Sequence, residues 1–189
     1  ATVTFPDTWK QTNNDLPIDI ITLSLPSGND QATCRLRAEE DRRFLVYPNR
    51  YRQDVKDLYF TKDFWDKYTA SYDNVKIVRH QDNAGLGQGF ASMTLVSYTT
   101  PPSTPDSQDS TDRAGVMAVT NYGDKVYVAE CSSSLPSYSA YHTLFMGFFK
   151  SISFKNAYHE SVVGDYRNFL NEWGTIEVQF PNAISRSVY

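Results

Sequence analysis

The chain has 189 residues, of which 40% are hydrophobic and 21% charged, with a formal net charge of -4. That composition supports one substantial core and excludes disordered and collagen-like chains. It also argues against a surface built throughout to hold nucleic acid, which needs an excess of Lys and Arg on one face.

In chain order, Thr2 to Phe5 alternates as a short strand that Pro6 stops, because proline offers no ladder donor. Ile18 to Leu25 is a second strand, rich in β-branched residues, and Pro26-Ser27-Gly28-Asn29 is a turn by composition. Gln31 to Arg37 then alternates Ala32, Cys34 and Leu36 against Thr33, Arg35 and Arg37. A period of two predicts one buried face and one basic face, and the three segments together predict an antiparallel meander. Between Glu39 and Tyr72 the large apolar residues recur at helical spacing instead: Val55, Leu58 and Tyr59, then Phe64, Trp65, Tyr68 and Tyr72. Two short helices are expected there.

Val75 to Arg79 returns to strand, Gln81 to Leu86 reads as a loop, and a long strand is expected from Gly89 to Tyr98. The Pro/Ser/Asp-rich stretch from Thr100 to Asp112 has too little apolar surface to offset ordering, so it is expected as a mobile hairpin loop. Gly115 to Asn121 and Lys125 to Cys131 form a hairpin around Gly123-Asp124. In the helix that follows, Tyr141, Leu144, Phe145, Phe148 and Ile152 share one stripe, broadened by His142, Met146 and Phe149. Glu160 to Trp173 is expected as a helix and Thr175 to Phe180 as a strand.

The opening Phe5-Pro6-Asp7-Thr8-Trp9, the central helical excursion, the hairpin with Lys125-Val126-Tyr127-Val128-Ala129, and a helix closing on Ser151-Ile152-Ser153-Phe154 together resemble the PsbP-like superfamily. The resemblance implies an α+β fold, an α/β/α sandwich on a central antiparallel sheet, over residues 1-155, with residues 156-189 as a C-terminal extension. It also implies a non-catalytic accessory or extrinsic subunit, the role of PsbP in its photosystem. Retention of calcium or chloride does not carry over, because the chain starts directly at the first strand.

The basic run Arg35, Arg37, Arg42, Arg43, Arg50 and Arg52 is the strongest charge feature. Its simplest reading is a solvated face interleaved with Glu39, Glu40 and Asp41. Its functional reading is a surface that meets acidic lipid headgroups, an acidic partner surface or RNA and steers association electrostatically. Tyr47, Tyr51, Tyr59, Phe60, Trp65 and Tyr68 lie beside it, and Tyr, Trp and Arg are the residues enriched at interface hot spots. The candidate partner interface is therefore Arg35, Arg37, Arg42, Arg43, Tyr47, Arg50, Tyr51, Phe149 and Trp173.

Cys34 and Cys131 both fall in expected strands, where a buried free thiol is the simpler reading and a structural disulfide the other. A bridge requires neighbouring strands with Cα atoms within roughly 7 Å. Gly85 to Gly89 lacks the strand-loop-helix setting of a phosphate-binding loop, so it is expected as a turn or bulge. Asp106, Asp109 and Asp112 lack the spacing of an EF-hand, and His80, His142 and His159 are the three histidines. No Ser sits in a nucleophile elbow. The expectation is no catalytic, metal or cofactor residue.

No apolar run approaches the roughly 20 residues of a membrane span. The opening Ala1 is what signal-peptide removal would leave. The chain is thus expected as an exported protein of a bacterial periplasm or organelle lumen, such as the thylakoid lumen. There it would bind protein subunits of a membrane-associated complex, peripheral to the membrane and without nucleic acid. The alternative is a small-molecule or ion-binding protein, or a hydrolase, with a cleft near Gly85 to Gly89 and His80.

Overall fold

The clearest alternation in the chain becomes the centre of the molecule. In the computed structural model, which describes residues 1-44, 52-87, 89-100, 110-154 and 183-187, β7 (Thr111–Tyr122) and β8 (Lys125–Ser134) pair antiparallel across a two-residue turn. Gly123 holds φ at +60° there, the left-handed conformation that the first central position of such a turn demands. Odd and even positions then divide. Met117, Val119, Val126 and Val128 face one cluster of buried residues, whereas Val116, Ala118, Ala129 and Cys131 face the other.

The remaining strands extend this pair on both sides. β2 (Lys10–Thr12), β3 (Asp19–Ser24) and β4 (Thr33–Glu40) lie beyond β8; β6 (Gly89–Thr100) and β5 (Asp73–Leu86) lie beyond β7. The order β2-β3-β4-β8-β7-β6-β5 makes seven antiparallel strands. β1 (Thr2–Pro6) stands apart, paired with β9 (Ala183–Ser187), so the expected meander excludes the first strand. β1 is held to the segment just past the helix over Tyr138–Ser151 by reciprocal backbone bonds between Thr2 and Ser153 of 2.7 and 2.9 Å.

Two helix layers cover the sheet. On one face lies α3 (Tyr138–Ser151), whose Phe145, Met146, Phe148 and Phe149 are buried with Val3, Phe5, Leu23 and Leu36. Each fully buried large side chain contributes on the order of 2 kcal/mol of transfer free energy. On the other face lie α1 (Arg52–Tyr59) and α2 (Lys62–Tyr68), which bring Val55, Tyr59 and Trp65 onto Met117, Val119 and Val96. Thr61 caps α2, its hydroxyl accepting from the Phe64 N–H at 3.2 Å. The architecture is the expected α/β/α sandwich on an antiparallel sheet. Its helical order, two short helices on one face and one long helix on the other, follows the periodicity of the chain.

Three local expectations change. Gln81 to Leu86 belongs to β5 and is not a loop. The strand runs through with register shifts between Asp73 and Lys76, Ile77 and Arg79, and Gln81 and Ala84, and such bulges hide the period of two. Cys34 and Cys131 are joined as a disulfide and are not free thiols. They stand directly opposite on β4 and β8 with Cα atoms 4.1 Å apart, a juxtaposition across 97 residues of chain. The loop expected over Thr100 to Asp112 gives up its ends to strands, Thr100 to β6 and Thr111 and Asp112 to β7, where they pair across the ladder. Residues 101-109, the helix expected over Glu160 to Trp173 and the strand expected over Thr175 to Phe180 lie outside the described residues.

Candidate functional site: an arginine–tyrosine cleft

The polar positions of β4 predict a basic face, and the fold closes that face with a helix. Arg35 and Arg37 share the side of the sheet occupied by α2, and register places Glu130 of β8 opposite Arg35 and Asp19 of β3 opposite Arg37. Arg35 donates from Nε and Nη2 to Glu130 Oε2 at 3.0 and 2.8 Å, and Arg37 Nε donates to Asp19 Oδ1 at 2.6 Å. Tyr68 at the end of α2 and Tyr72 in the turn that follows it reach these pairs. Arg37 Nη1 donates to the Tyr68 hydroxyl at 2.9 Å and Arg35 Nη2 to the Tyr72 hydroxyl at 2.7 Å, and both hydroxyls donate on to Glu130 at 3.2 Å.

The result is one closed network of three kinds of group. Side chains of Arg35 and Arg37 are 19% and 11% exposed, and those of Glu130 and Asp19 are 4% and 0%. This corrects the reading of Arg35 and Arg37 as a solvated face, since their guanidinium groups are largely consumed inside the protein. Burial opposes ionisation of Asp19, but the Arg37 bond and the Leu16 N–H hold its carboxyl below the usual range. Burial raises the phenols of Tyr68 and Tyr72, and the Glu130 carboxylate raises them further.

The exposed arginines follow at the end of β4. Arg42 pairs with Glu40, the two side chains being 72% and 58% exposed. Arg43 donates from Nε to Asp41 Oδ1 at 2.9 Å and from Nη2 to Asp41 Oδ2 at 2.8 Å, and also to the Tyr59 hydroxyl at 2.8 Å. Tyr59 donates in turn to Asp41 Oδ2. The Arg43 bonds bring the Asp41 carboxyl down to about 2, while burial and the neighbouring Asp41 push the Tyr59 phenol up to about 12.

These groups border a cavity of about 440 Å³. Its floor is Val126, Val128, Phe64 and Tyr68, and Arg37, Arg42, Arg43, Glu39, Glu40 and Asp41 stand around it. Three cations against three carboxylates leave the lining neutral, so the cleft offers aromatic area and hydrogen-bonding groups without a net field. Such a mixture suits a protein contact.

The other predicted residues fare differently. Phe149 is 2% exposed in the α3 core, because the broad stripe of that helix is met by β1 as well as by the sheet; it is not a surface anchor. Tyr47, Arg50, Tyr51 and Trp173 lie outside the described residues. Gly85 and Leu86 close β5 and Gly89 opens β6, with φ of +60° at Gly87 after the end of β5, where an added Cβ would sit 2.5 Å from the Phe154 ring. That close packing leaves the turn a structural role. His80 lies on β5 with Nε2 3.3 Å from the Phe60 carbonyl oxygen.

Sequence reasoning missed Glu130, Asp19, Tyr68 and Tyr72 as partners of the arginines. One signal was present: Glu130 shares its parity with Val126 and Val128, and a carboxylate at a buried position needs a cation opposite.

The described strands and helices form an α+β sandwich on a seven-stranded antiparallel sheet. The chain is similar to cyanobacterial PsbP (CyanoP) of Synechocystis, with 10% identity, coverage of 78% of this chain and 82% of that one, and a TM-score of 0.46. A protein of unknown function and putative regulator from Pseudomonas aeruginosa gives 12% identity, 81% and 90% coverage, and a TM-score of 0.44. The Ran-binding protein Mog1p of Saccharomyces cerevisiae gives 8%, 76% and 77%, and 0.41. No family model matches the sequence, and no curated relative does. Among the described residues no helix is long and apolar enough to cross a membrane.

Proposed function

We propose that this protein is a non-catalytic, exported accessory subunit that docks onto a membrane-associated protein complex through the cleft between β4 and the α1–α2 layer. The observation that carries this reading is the cleft itself, an aromatic and aliphatic floor of Tyr59, Phe64, Tyr68, Val126 and Val128 beneath Arg42 and Arg43. Aromatic residues and arginine are the side chains that concentrate binding energy at protein contacts. The Cys34–Cys131 bridge supports export, because disulfides persist in periplasmic, lumenal and extracellular compartments and are rare in reducing ones. Residues 156-189 are read as an extension of the domain formed by residues 1-155, returning to it as β9 on β1.

The test is co-isolation from the native source without reduction, comparing the wild type with an Arg42→Glu/Arg43→Gln double variant. Subunits of a membrane complex should accompany the wild type and be depleted at least about tenfold with the variant, the scale of losing one hot spot. Equal recovery with both proteins, at an unchanged melting temperature, would refute docking through this cleft.

A further inference from the structure

A second hollow lies on the same face of the sheet, on the far side of the Arg35–Glu130 pair from the docking cleft. It measures about 330 Å³ and is lined by Gln31, Thr33, Arg35, Tyr72, Tyr98, Thr100, Arg113, Glu130 and Ser132. Register explains the space. Thr33, Ser132 and Gly115 follow one another across β4, β8 and β7, so three small residues in a row lie between larger neighbours. We infer that this hollow binds a small molecule through an oxyanion, a carboxylate or a phosphate ester, held by Arg113 and Arg35.

Charge is the first argument. Arg113 is only 7% exposed, yet among the described residues no carboxylate lies within ion-pair distance of it. Its Nη2 donates to the Gln31 carbonyl at 2.9 Å and to Ser132 Oγ at 3.0 Å, both neutral acceptors. A buried cation is ordinarily matched by an anion. The nearest carboxylate in the lining, Glu130, is already committed: Oε2 accepts from Arg35 twice and from Tyr68, and Oε1 from Tyr72. Two arginines against one carboxylate leave the lining with one uncompensated positive charge.

Donor geometry is the second argument. Arg35 uses Nε and Nη2 in its bonds to Glu130 and Tyr72, which leaves Nη1 without an acceptor among the described residues. Guanidinium groups present paired N–H donors that match the oxygens of a carboxylate or phosphate. Hydroxyls of Thr33, Thr100, Ser132, Tyr72 and Tyr98 complete the lining. The rings of Tyr72 and Tyr98 stack with centroids 4.3 Å apart, which fixes one wall before any ligand arrives. The size falls at the lower end of small-molecule sites, suiting a compact ligand.

The experiment is a titration of the full chain with three probes, inorganic phosphate, β-glycerophosphate and lactate, read by amide chemical shifts and by melting temperature. At least one probe should bind with a dissociation constant of about 1 mM or tighter. Arg113→Gln should weaken it at least about tenfold, Thr33→Val about fivefold, the scale of one lost hydrogen bond. Arg42→Gln, which removes the same charge from the exposed rim, should leave it unchanged. A response to the phosphates alone assigns a phosphate ester, and to lactate alone a carboxylate. Should Arg113→Gln fail to fold, Arg113→Lys replaces it, keeping the charge and losing the fork; several-fold weakening is expected. The inference is overturned if no probe binds the wild type, or if Arg113→Gln or Arg113→Lys binds as the wild type does. Docking through the other cleft is tested by Arg42 and Arg43, so the two readings fail separately.

Discussion

The two faces of the central sheet are closed by different means. Under α3 the core of the contact is apolar, with Phe145, Phe148 and Phe149 against Leu23, Leu36, Ala129 and the Cys34–Cys131 bridge. Under α1 and α2 it is divided: Trp65 and Val55 pack on Met117 and Val119 at one end, while at the other Tyr68 and Tyr72 rest on ionised arginines and Glu130. Apolar burial is non-directional, whereas buried charge demands a partner at each position. The α3 face therefore acts as a scaffold, and the α2 face, with its two hollows, offers groups for recognition.

Four changes probe that contrast, in descending order of expected effect. Phe148→Ala on the scaffold face should lower unfolding free energy by about 4 kcal/mol, since it removes a fully buried ring and leaves a cavity. Urea denaturation measures this, and a loss below about 1 kcal/mol would mean the face tolerates repacking. Replacing both Cys34 and Cys131 with Ala should cost about 3 to 4 kcal/mol by the same measurement, because the bridge closes a loop of 97 residues.

On the polar face, Glu130→Ala should cost about 3 kcal/mol, as it strands the Arg35 guanidinium with two hydroxyls. The figure lies at the low end for a buried pair because the Arg35 side chain retains 19% exposure. If Glu130→Ala proves near neutral while Phe148→Ala does not, the network contributes little to stability and its retention would point to binding.

The smallest effect is a pH dependence. The Asp41 carboxyl, held at about 2 by Arg43, lies below the roughly 3.9 of an unfolded aspartate. Its contribution to stability is fully present above about pH 4 and is lost as pH falls toward 2. Arg43→Gln should flatten that acid limb, and thermal melts between these limits would detect it. An unchanged limb would place acid sensitivity in the Asp19–Arg37 pair instead.

How much of this was legible beforehand varied with the range of the interaction. The hairpin of β7 and β8, the two short helices and α3 follow from periods of two and 3.6 residues, and β4 showed its two faces as far as Arg37, short of its end at Glu40. The bulged half of β5 was hidden, because each register shift moves the next residues to the opposite face. Among the candidate interface residues, Arg42 and Arg43 do border a cleft, while Phe149 turns inward.

Local chemistry in the sequence was enough to specify the β7–β8 hairpin, the two short helices and α3, where Gly123 turns the chain, and that one face of β4 is basic. Strand order and register decided the rest: that Cys34 meets Cys131, that Arg35 meets Glu130, and that Arg113 lies buried with no carboxylate partner among the described residues. The physical reason is distance along the chain. Periodicity reports which way a side chain points within its own element, but the charge or thiol that faces it arrives from about a hundred residues away, and only packing brings the two together.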